Sequence, residues 1–135
     1  FILHLVKAID KRTIEASEEF ILNAISCITN LLFYDRPELE LLNFEIRVAI
    51  FNSIKLYMLA NQNEEIQIET VRVLSNLSRH ISLCEEFVTD KTYLEGLMVV
   101  LDLTLRDLVY YTVGIIINIT LHEKTREKLM LQPEA

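Results

Sequence analysis

The sequence predicts an all-α protein built from a repeated helical unit. Its 135 residues are 51% hydrophobic and include only two glycines and two prolines, whereas glycine alone makes up about 7% of an ordinary globular chain. Hairpin turns and phosphate-binding loops need glycine, so all-β folds and glycine-rich nucleotide sites are excluded. A segment centred on an asparagine also recurs along the chain, and this recurrence indicates a fold made of repeats.

The repeat is centred on Asn30, Asn76 and Asn118, which are 46 and then 42 residues apart. Counted back from each asparagine, apolar residues occur at the tenth, eighth, fifth and second positions, and another follows the asparagine directly. These steps keep to one broad face of a helix. Each asparagine is therefore expected on a long amphipathic helix.

Two shorter elements complete the unit. An amphipathic stretch precedes each asparagine helix, over 1–10, 44–60 and 93–103, and a third short piece separates the units, over 37–42 and 81–88. Pro37 suits the first position of such a short helix, because its missing N–H group would have no partner there. The unit is therefore predicted to contain three helices in about 42 residues, a length typical of helical solenoids.

These elements divide the chain into a partial repeat over 1–36, complete repeats over 37–80 and 81–123, and the start of another over 124–135. Core-like residues occupy both ends, at 1–6 and 129–131, where terminal repeats normally carry polar caps. We therefore expect one segment of a longer solenoid.

Charge and hydropathy narrow the classes of partner. The net charge is −7, with 20 acidic and 13 basic residues and no basic patch, so nucleic acid is not an expected partner. The longest uncharged runs, 20–34 and 108–122, are about fifteen residues long, whereas a membrane span needs roughly twenty. No membrane association is expected.

The cysteines narrow the chemistry. Cys27 and Cys84 lie far apart, without the spacing of zinc ligands or of a redox pair. They are interpreted as buried thiols of a reducing compartment, which favours a cytoplasmic protein. Neither a metal nor a cofactor is expected.

The second unit closely resembles an armadillo repeat. The segment 63–78 ends in Leu-Ser-Asn-Leu-Ser, similar to the third helix of that repeat, and 93–101 is similar to the second helix. Thr29-Asn30 and Ile117-Asn118 stand at the equivalent places of the other units. The resemblance covers almost the whole chain and implies a right-handed α-solenoid, an armadillo/HEAT-like superhelix of about three three-helix repeats.

The resemblance also implies a binding site. In armadillo proteins the third helices line a concave groove, and their asparagines bind the backbone of an extended partner; an amide offers both a donor and an acceptor for this purpose. By resemblance this role goes to Asn30, Asn76 and Asn118. Without the resemblance, the sequence also allows an alternative, in which each asparagine caps or bridges neighbouring repeats through a buried hydrogen bond.

Further groove positions lie on the same helical face, seven and four residues before each asparagine and three after it. They are Asn23, Ser26 and Phe33, then Glu69, Arg72 and Arg79, then Tyr111, Gly114 and Leu121. Importin-α carries tryptophan four residues before the asparagine, and its absence here argues against a nuclear-import role. Glu69 and Arg72 can pair at i,i+3, which suggests a partner that is neither strongly basic nor strongly acidic.

Two further features of the asparagine helices have more than one explanation. Glycine inside a helix costs about 1 kcal/mol relative to alanine, so Gly114 calls for an explanation. Another helix or a ligand backbone approaches closely at this position, or the glycine is a change without consequence. The acidic pairs at 18–19 and 64–65 begin the asparagine helices, where carboxylates favour the helix dipole. Paired-carboxylate catalysis is not expected there.

The leading functional prediction is a noncatalytic scaffold or adaptor that binds an extended protein segment or a helix in its groove. A structural spacer, or a segment that self-associates through exposed repeat ends, is the alternative. An enzyme ranks last, because the three histidines lack the companions of a catalytic site. The pieces 15–20 and 28–31 resemble armadillo proteins of cilia and flagella, including those that assemble axonemal complexes; kinesin-associated and catenin-like adaptors also fit.

Overall fold

The computed structural model describes residues 1–12, 14–33, 42–60 and 62–131. These residues form eight α-helices and one 3₁₀ segment and contain no β-strand, which confirms the predicted all-α solenoid class. The elements are α1 (Ile2–Asp10), α2 (Ile14–Phe33), α3 (Phe44–Ile54), the 3₁₀ segment (Lys55–Leu59), α4 (Glu64–Leu77), α5 (Ile81–Thr89), α6 (Lys91–Leu101), α7 (Arg106–Leu121) and α8 (Glu123–Met130).

The helices stack in layers. Helices α2, α4 and α7 carry the three asparagines and form one layer, in which α4 packs between the other two; we call them the long helices. The outer helices α1, α3 with its 3₁₀ segment, and α6 form a second layer together with α5, which packs on α3 and α6; we call it the outer layer. Helix α8 packs on α5 and α7. This order follows the predicted unit. The short helix predicted over 37–42 lies outside the described residues, apart from Leu42.

Side-chain caps set where three helices begin. The cap oxygen accepts a hydrogen bond from the free backbone N–H of the third residue after it, which would otherwise lack a partner in the first turn. The pairs are Asn43 with Ile46 at 2.8 Å, Asn63 with Ile66 at 2.9 Å, and Asp90 with Tyr93 at 3.0 Å. Local sequence thus fixes the starts of α3, α4 and α6.

The outer layer contains a cluster of three buried aromatic rings. The buried rings of Phe51, Phe87 and Tyr93 come from α3, α5 and α6, and their centroids lie 4.7 to 5.0 Å apart. A Cβ atom added at Gly96 would overlap the end of the buried Met58 side chain. The 3₁₀ segment can therefore pack against α6 because residue 96 has no side chain.

A salt bridge joins the same two elements. Lys55 Nζ donates to Asp90 Oδ2 at 2.5 Å, while Oδ1 of this aspartate caps α6. One carboxylate thereby fixes the start of α6 and its position against the 3₁₀ segment.

In the described part of the chain, no helix is both long and apolar enough to span a membrane.

Candidate protein-binding groove

The residues predicted to line a groove lie on the three long helices, at equivalent positions of successive repeats. Asn23, Asn30, Phe33, Arg79 and Leu121 are exposed, whereas Ser26, Glu69, Arg72, Asn76, Tyr111, Gly114 and Asn118 are partly buried. Because α4 packs directly against α2 and α7, these side chains form a continuous surface across three repeats, which we call the groove surface.

Two clefts lie between adjacent long helices. The cleft between α2 and α4 has a volume of about 250 Å³, and its lining includes Asn23, Ser26 and Glu69. The cleft between α4 and α7 has a volume of about 440 Å³, and its lining includes Tyr111 and Gly114. Five of the residues predicted from the repeat therefore line these two openings.

A larger cleft of about 720 Å³ lies where α2 and α4 begin. Its lining includes Glu18, Glu19, Glu64 and Glu65, the acidic pairs that the sequence related only to helix dipoles. Asn63 Nδ2 donates a hydrogen bond to Glu18 Oε1 across this cleft. The α2–α4 junction is therefore acidic, whereas the cleft at the α4–α7 junction has mostly aromatic and aliphatic walls.

A chain of contacts links the three long helices across this surface. The Thr29 hydroxyl of α2 donates to Glu69 Oε2 at 3.1 Å, and Arg72 Nη1 donates to Glu69 Oε1 at 2.7 Å. The Arg72 guanidinium carbon lies 5.9 Å from the centre of the Tyr111 ring of α7, within the range of a cation–π contact. The ion pair predicted at i,i+3 is present and belongs to a contact chain that spans three repeats.

The three asparagines differ in their surroundings. Asn118 Nδ2 donates to Oγ of Ser78, the residue that follows α4, at 2.8 Å. This is a bond to a neighbouring repeat, the alternative to ligand binding that the sequence left open. The position equivalent to Ser78 in the preceding repeat is Leu32, which offers no hydroxyl to Asn76. Across residues 1–12, 14–33, 42–60 and 62–131, the amides of Asn30 and Asn76 have no hydrogen-bond partner. These two amides are available to a ligand.

Arg79 joins the C-terminal ends of two long helices. Its Nη2 donates to the Leu32 carbonyl of α2 at 3.2 Å, and its Nε donates to the Asn76 carbonyl at 3.3 Å. Carbonyls in the last turn of a helix lack intrahelical donors and favour a nearby positive charge. Arg79 therefore holds neighbouring repeats together, whatever it contributes to a partner.

Gly114 is not required by helix packing. A Cβ atom at this position would lie 3.5 Å from Ser75 Oγ, an ordinary contact. Close approach of another described helix is therefore not the reason for this glycine. Its missing side chain instead widens the cleft beside Tyr111.

Sequence reasoning did not select three polar residues that line the junctions between long helices. Thr29 and Ser75 immediately precede an asparagine, and Ser78 follows one by two residues. Thr29 and Ser78 bond to the next long helix, and Ser75 lines the cleft beside Gly114. The available signal was a hydroxyl side chain at two repeat positions within apolar helices, directly before the asparagine and two residues after it.

The two cysteines differ. Cys84 is fully buried and its thiol donates to the Ser78 carbonyl at 3.0 Å, whereas Cys27 is partly buried. Burial, with a smaller contribution from Glu85, raises the pKa of the Cys84 thiol to about 11. Cys84 is therefore a protonated structural thiol at neutral pH. The described residues contain no group of three or more His, Cys, Asp or Glu side chains that could hold a metal ion.

The sequence is similar to that of known armadillo-repeat proteins. Armadillo repeat-containing protein 2 of Mus musculus is 27% identical over 122 residues, which cover 90% of this chain and 14% of that protein. The proteins of that name from Bos taurus and Homo sapiens are each 25% identical over the same share of both chains. The chain therefore spans about one-seventh of the length of these relatives.

No protein-family profile matches the chain, and no solved structure matches it. The relatives nevertheless align over nine-tenths of the chain, which includes all three asparagine helices described above. The resemblance predicted from the sequence is confirmed, and these distant relatives, together with the helical solenoid, support an armadillo-repeat family for the chain.

Proposed function

We propose that this chain is a noncatalytic scaffold that holds an extended protein segment along its long helices. The observation that carries the proposal is the pair of unbonded amides on Asn30 and Asn76, which lie at equivalent positions of the adjacent helices α2 and α4. An extended peptide presents unpaired N–H and C=O groups at regular intervals, and an asparagine amide can bond to one of each. The armadillo-repeat relatives support the same role.

The two junctions suggest the chemistry of the segment. The α2–α4 junction offers Glu69 and the acidic residues around the larger cleft, which suit polar or positively charged side chains. The α4–α7 cleft offers Tyr110, Tyr111 and Ile117, which suit an apolar or aromatic side chain. A partner of mixed character, neither strongly basic nor strongly acidic, therefore fits the surface.

The asparagine ladder can be tested with captured partners. The chain is used to retain proteins from a ciliated-cell lysate, and the affinity of each retained protein is measured against wild type and Asn76→Ala. Loss of two backbone hydrogen bonds should weaken binding about tenfold. Asn52→Ala is the matched control, because Asn52 is an exposed asparagine on α3, away from the long helices.

Arg72→Glu tests the same surface by charge. It places a second carboxylate beside Glu69 and removes the guanidinium from Tyr111, so binding should weaken while the far-ultraviolet circular dichroism is retained. If Asn76→Ala and Arg72→Glu bind every retained protein as wild type does, the long-helix surface is not the binding site.

We also propose a place of action in the cytoplasm and in the cilium or flagellum, where the scaffold would serve axoneme assembly or transport. The support is the resemblance of 15–20 and 28–31 to armadillo proteins of those organelles. Imaging the tagged protein in ciliated cells tests this point. Uniform exclusion from cilia, in cells that assemble normal axonemes, would contradict it.

A further inference from the structure

The smaller cleft between α2 and α4 has both apolar and polar walls, and we call it the α2–α4 cleft. The residues that line it are Leu22, Asn23 and Ser26 of α2 and Glu65, Ile68 and Glu69 of α4. The partly buried side chains of Leu22 and Ile68 pack against the hydrophobic core. The other four residues supply an amide, a hydroxyl and two carboxylates. Such walls match a long side chain with an aliphatic stem and a polar end.

This cleft adjoins the larger one at the start of the same two helices, because Leu22, Glu65 and Ile68 line both. The two clefts together follow the junction of α2 with α4, and each has a long helix on either side. An extended segment that lies across the long helices would therefore meet an opening here into which a side chain can point.

The two carboxylates of the α2–α4 cleft differ in their partners. Glu69 accepts hydrogen bonds through both oxygens, from the Thr29 hydroxyl at 3.1 Å and from Arg72 at 2.7 Å. Glu65 is exposed and forms no salt bridge with any residue that the structure describes. The exposed amide of Asn23 likewise has no hydrogen-bond partner there. The cleft thus offers an unpaired carboxylate and a free amide oxygen.

The next junction shows which group fits between two long helices. The repeat equivalent of Ser26 is Arg72, four residues before the asparagine. The Arg72 guanidinium pairs with Glu69, and its carbon lies 5.9 Å from the centre of the Tyr111 ring on α7. At the α4–α7 junction the chain therefore supplies its own guanidinium, which contacts both long helices.

The α2–α4 junction lacks such a group, because the short side chain of Ser26 stands in this position. The counterparts of Glu69 and Tyr111 at this junction are Asn23 and Glu69, seven residues before their asparagines. A guanidinium in the corresponding place would therefore lie between an amide and a carboxylate. Glu65 lines the same cleft and adds a second carboxylate. Charge and shape both favour a cationic side chain from a partner.

We propose that the α2–α4 cleft receives an arginine side chain of the extended partner, in the place that Arg72 takes at the next junction. The methylene groups of this arginine would lie on Leu22 and Ile68. Its guanidinium would donate to the Glu65 carboxylate and to the Asn23 amide oxygen, since its planar group presents several N–H donors. The inference rests on the proposed function, because the arginine belongs to the segment held along the long helices.

Nuclear magnetic resonance titration of the isotope-labelled 135-residue chain tests the proposal. The probe is the N-acetyl methylamide of arginine, and the comparison probe is the same derivative of citrulline, which has nearly the same shape without the charge. The arginine derivative should shift the backbone amide signals of 22–26 and 65–69. The citrulline derivative should bind about fivefold more weakly, because only a charged donor gains from the carboxylate.

Glu65→Gln removes the charge at the cleft and keeps the shape of the side chain. It should weaken binding of the arginine derivative about threefold to fivefold, the range of an exposed ion pair. Glu45→Gln is the matched control, because Glu45 is exposed and is the second residue of α3, as Glu65 is of α4. Both substitutions change the net charge equally, so general attraction to an acidic protein affects them alike.

Ser26→Arg provides the guanidinium from the chain itself and reproduces the arrangement of Arg72. It should fill the α2–α4 cleft and weaken binding of the arginine derivative about tenfold or more. Asn52→Arg adds the same charge at an exposed position of α3 and should bind as wild type does. Circular dichroism checks that the variants are folded; if Ser26→Arg unfolds, Glu65→Gln, at an exposed position, decides the test.

Three results would overturn the proposal. They are equal binding of the two derivatives, equal losses in Glu65→Gln and Glu45→Gln, and shifts that lie outside 22–26 and 65–69. The scaffold itself is tested separately by Asn76→Ala with captured partners. If that variant weakens partner binding while the two derivatives bind equally, the arginine site alone is wrong. If the arginine derivative binds selectively while Asn76→Ala and Arg72→Glu have no effect on captured partners, the scaffold proposal alone is wrong.

Discussion

The outer layer and the groove surface differ in how closely their helices pack, as the surroundings of the two glycines show. At Gly96 the outer helices approach so closely that a side chain would overlap Met58, whereas at Gly114 a methyl group would make only an ordinary contact with Ser75. The first glycine allows two elements to meet and the second leaves a cleft open. We infer that close packing at Gly96 contributes to stability and that the cleft beside Gly114 is free for binding.

The largest difference should appear when an aromatic side chain is removed from each region. Phe87→Ala removes a completely buried ring that contacts Phe51 and Tyr93, and should lower the free energy of unfolding by about 3–5 kcal/mol. Tyr110→Ala removes a largely exposed ring from α7 and should change it by less than about 0.5 kcal/mol. Chemical denaturation of both variants measures the difference, and equal losses would contradict the comparison.

The glycines themselves give the next largest contrast. Gly96→Ala should lower the free energy of unfolding by about 1–3 kcal/mol, because the buried Met58 side chain must move. Gly114→Ala should raise it by about 1 kcal/mol, because alanine favours the helix and its methyl group has space. The same direction for both substitutions would show that the α4–α7 junction is as tightly packed as the outer layer.

The sequence was sufficient for the repeat and for most of its helices, because apolar spacing is a local signal. It did not predict the change from α3 to a 3₁₀ segment at Lys55: residues 44–60 contain no glycine or proline to mark it. The local sequence therefore gave no sign that the end of this stretch would pack against Gly96.

Helical periodicity predicted which residues lie on the groove surface, but it did not predict which asparagine side chains are hydrogen-bonded. Asn76 and Asn118 occupy the same repeat position, and only Asn118 bonds to the preceding repeat, because Ser78 stands where the other unit has Leu32. The bond joins residues 40 positions apart. Helical periodicity within a single unit carries no information about such a pair.

The two cysteines extend the contrast to chemical reactivity and pH. The pKa of the Cys84 thiol is raised to about 11, mainly by burial, so a thiol reagent at neutral pH should modify Cys27 well before Cys84. An unfolded chain loses the Cys84 proton near the ordinary thiol pKa of 9.0, whereas the folded chain retains it up to about 11. The stability contributed by this group is therefore present below pH 9 and is lost as the pH rises towards 11.

Above the ordinary thiol pKa, the free energy of unfolding should therefore fall less with rising pH in Cys84→Ala than in wild type. Cys27→Ala is the control. Equal labelling of both thiols in the folded chain would show that the outer layer opens as readily as the groove surface.

The smallest contrast concerns the two ion pairs. Lys55 and Asp90 have side chains only 20% and 18% exposed, whereas in the groove pair Glu69 is 17% exposed but Arg72 is 42% exposed. Water and salt screen an exposed pair more effectively, so a double-mutant cycle on Glu69 and Arg72 should give a coupling of only about 0.2–1 kcal/mol. The Lys55–Asp90 coupling should be larger and less sensitive to salt. A groove pair with the stronger coupling would mean that Glu69 and Arg72 hold the long helices together, and the surface would then be a structural joint as well as a binding site.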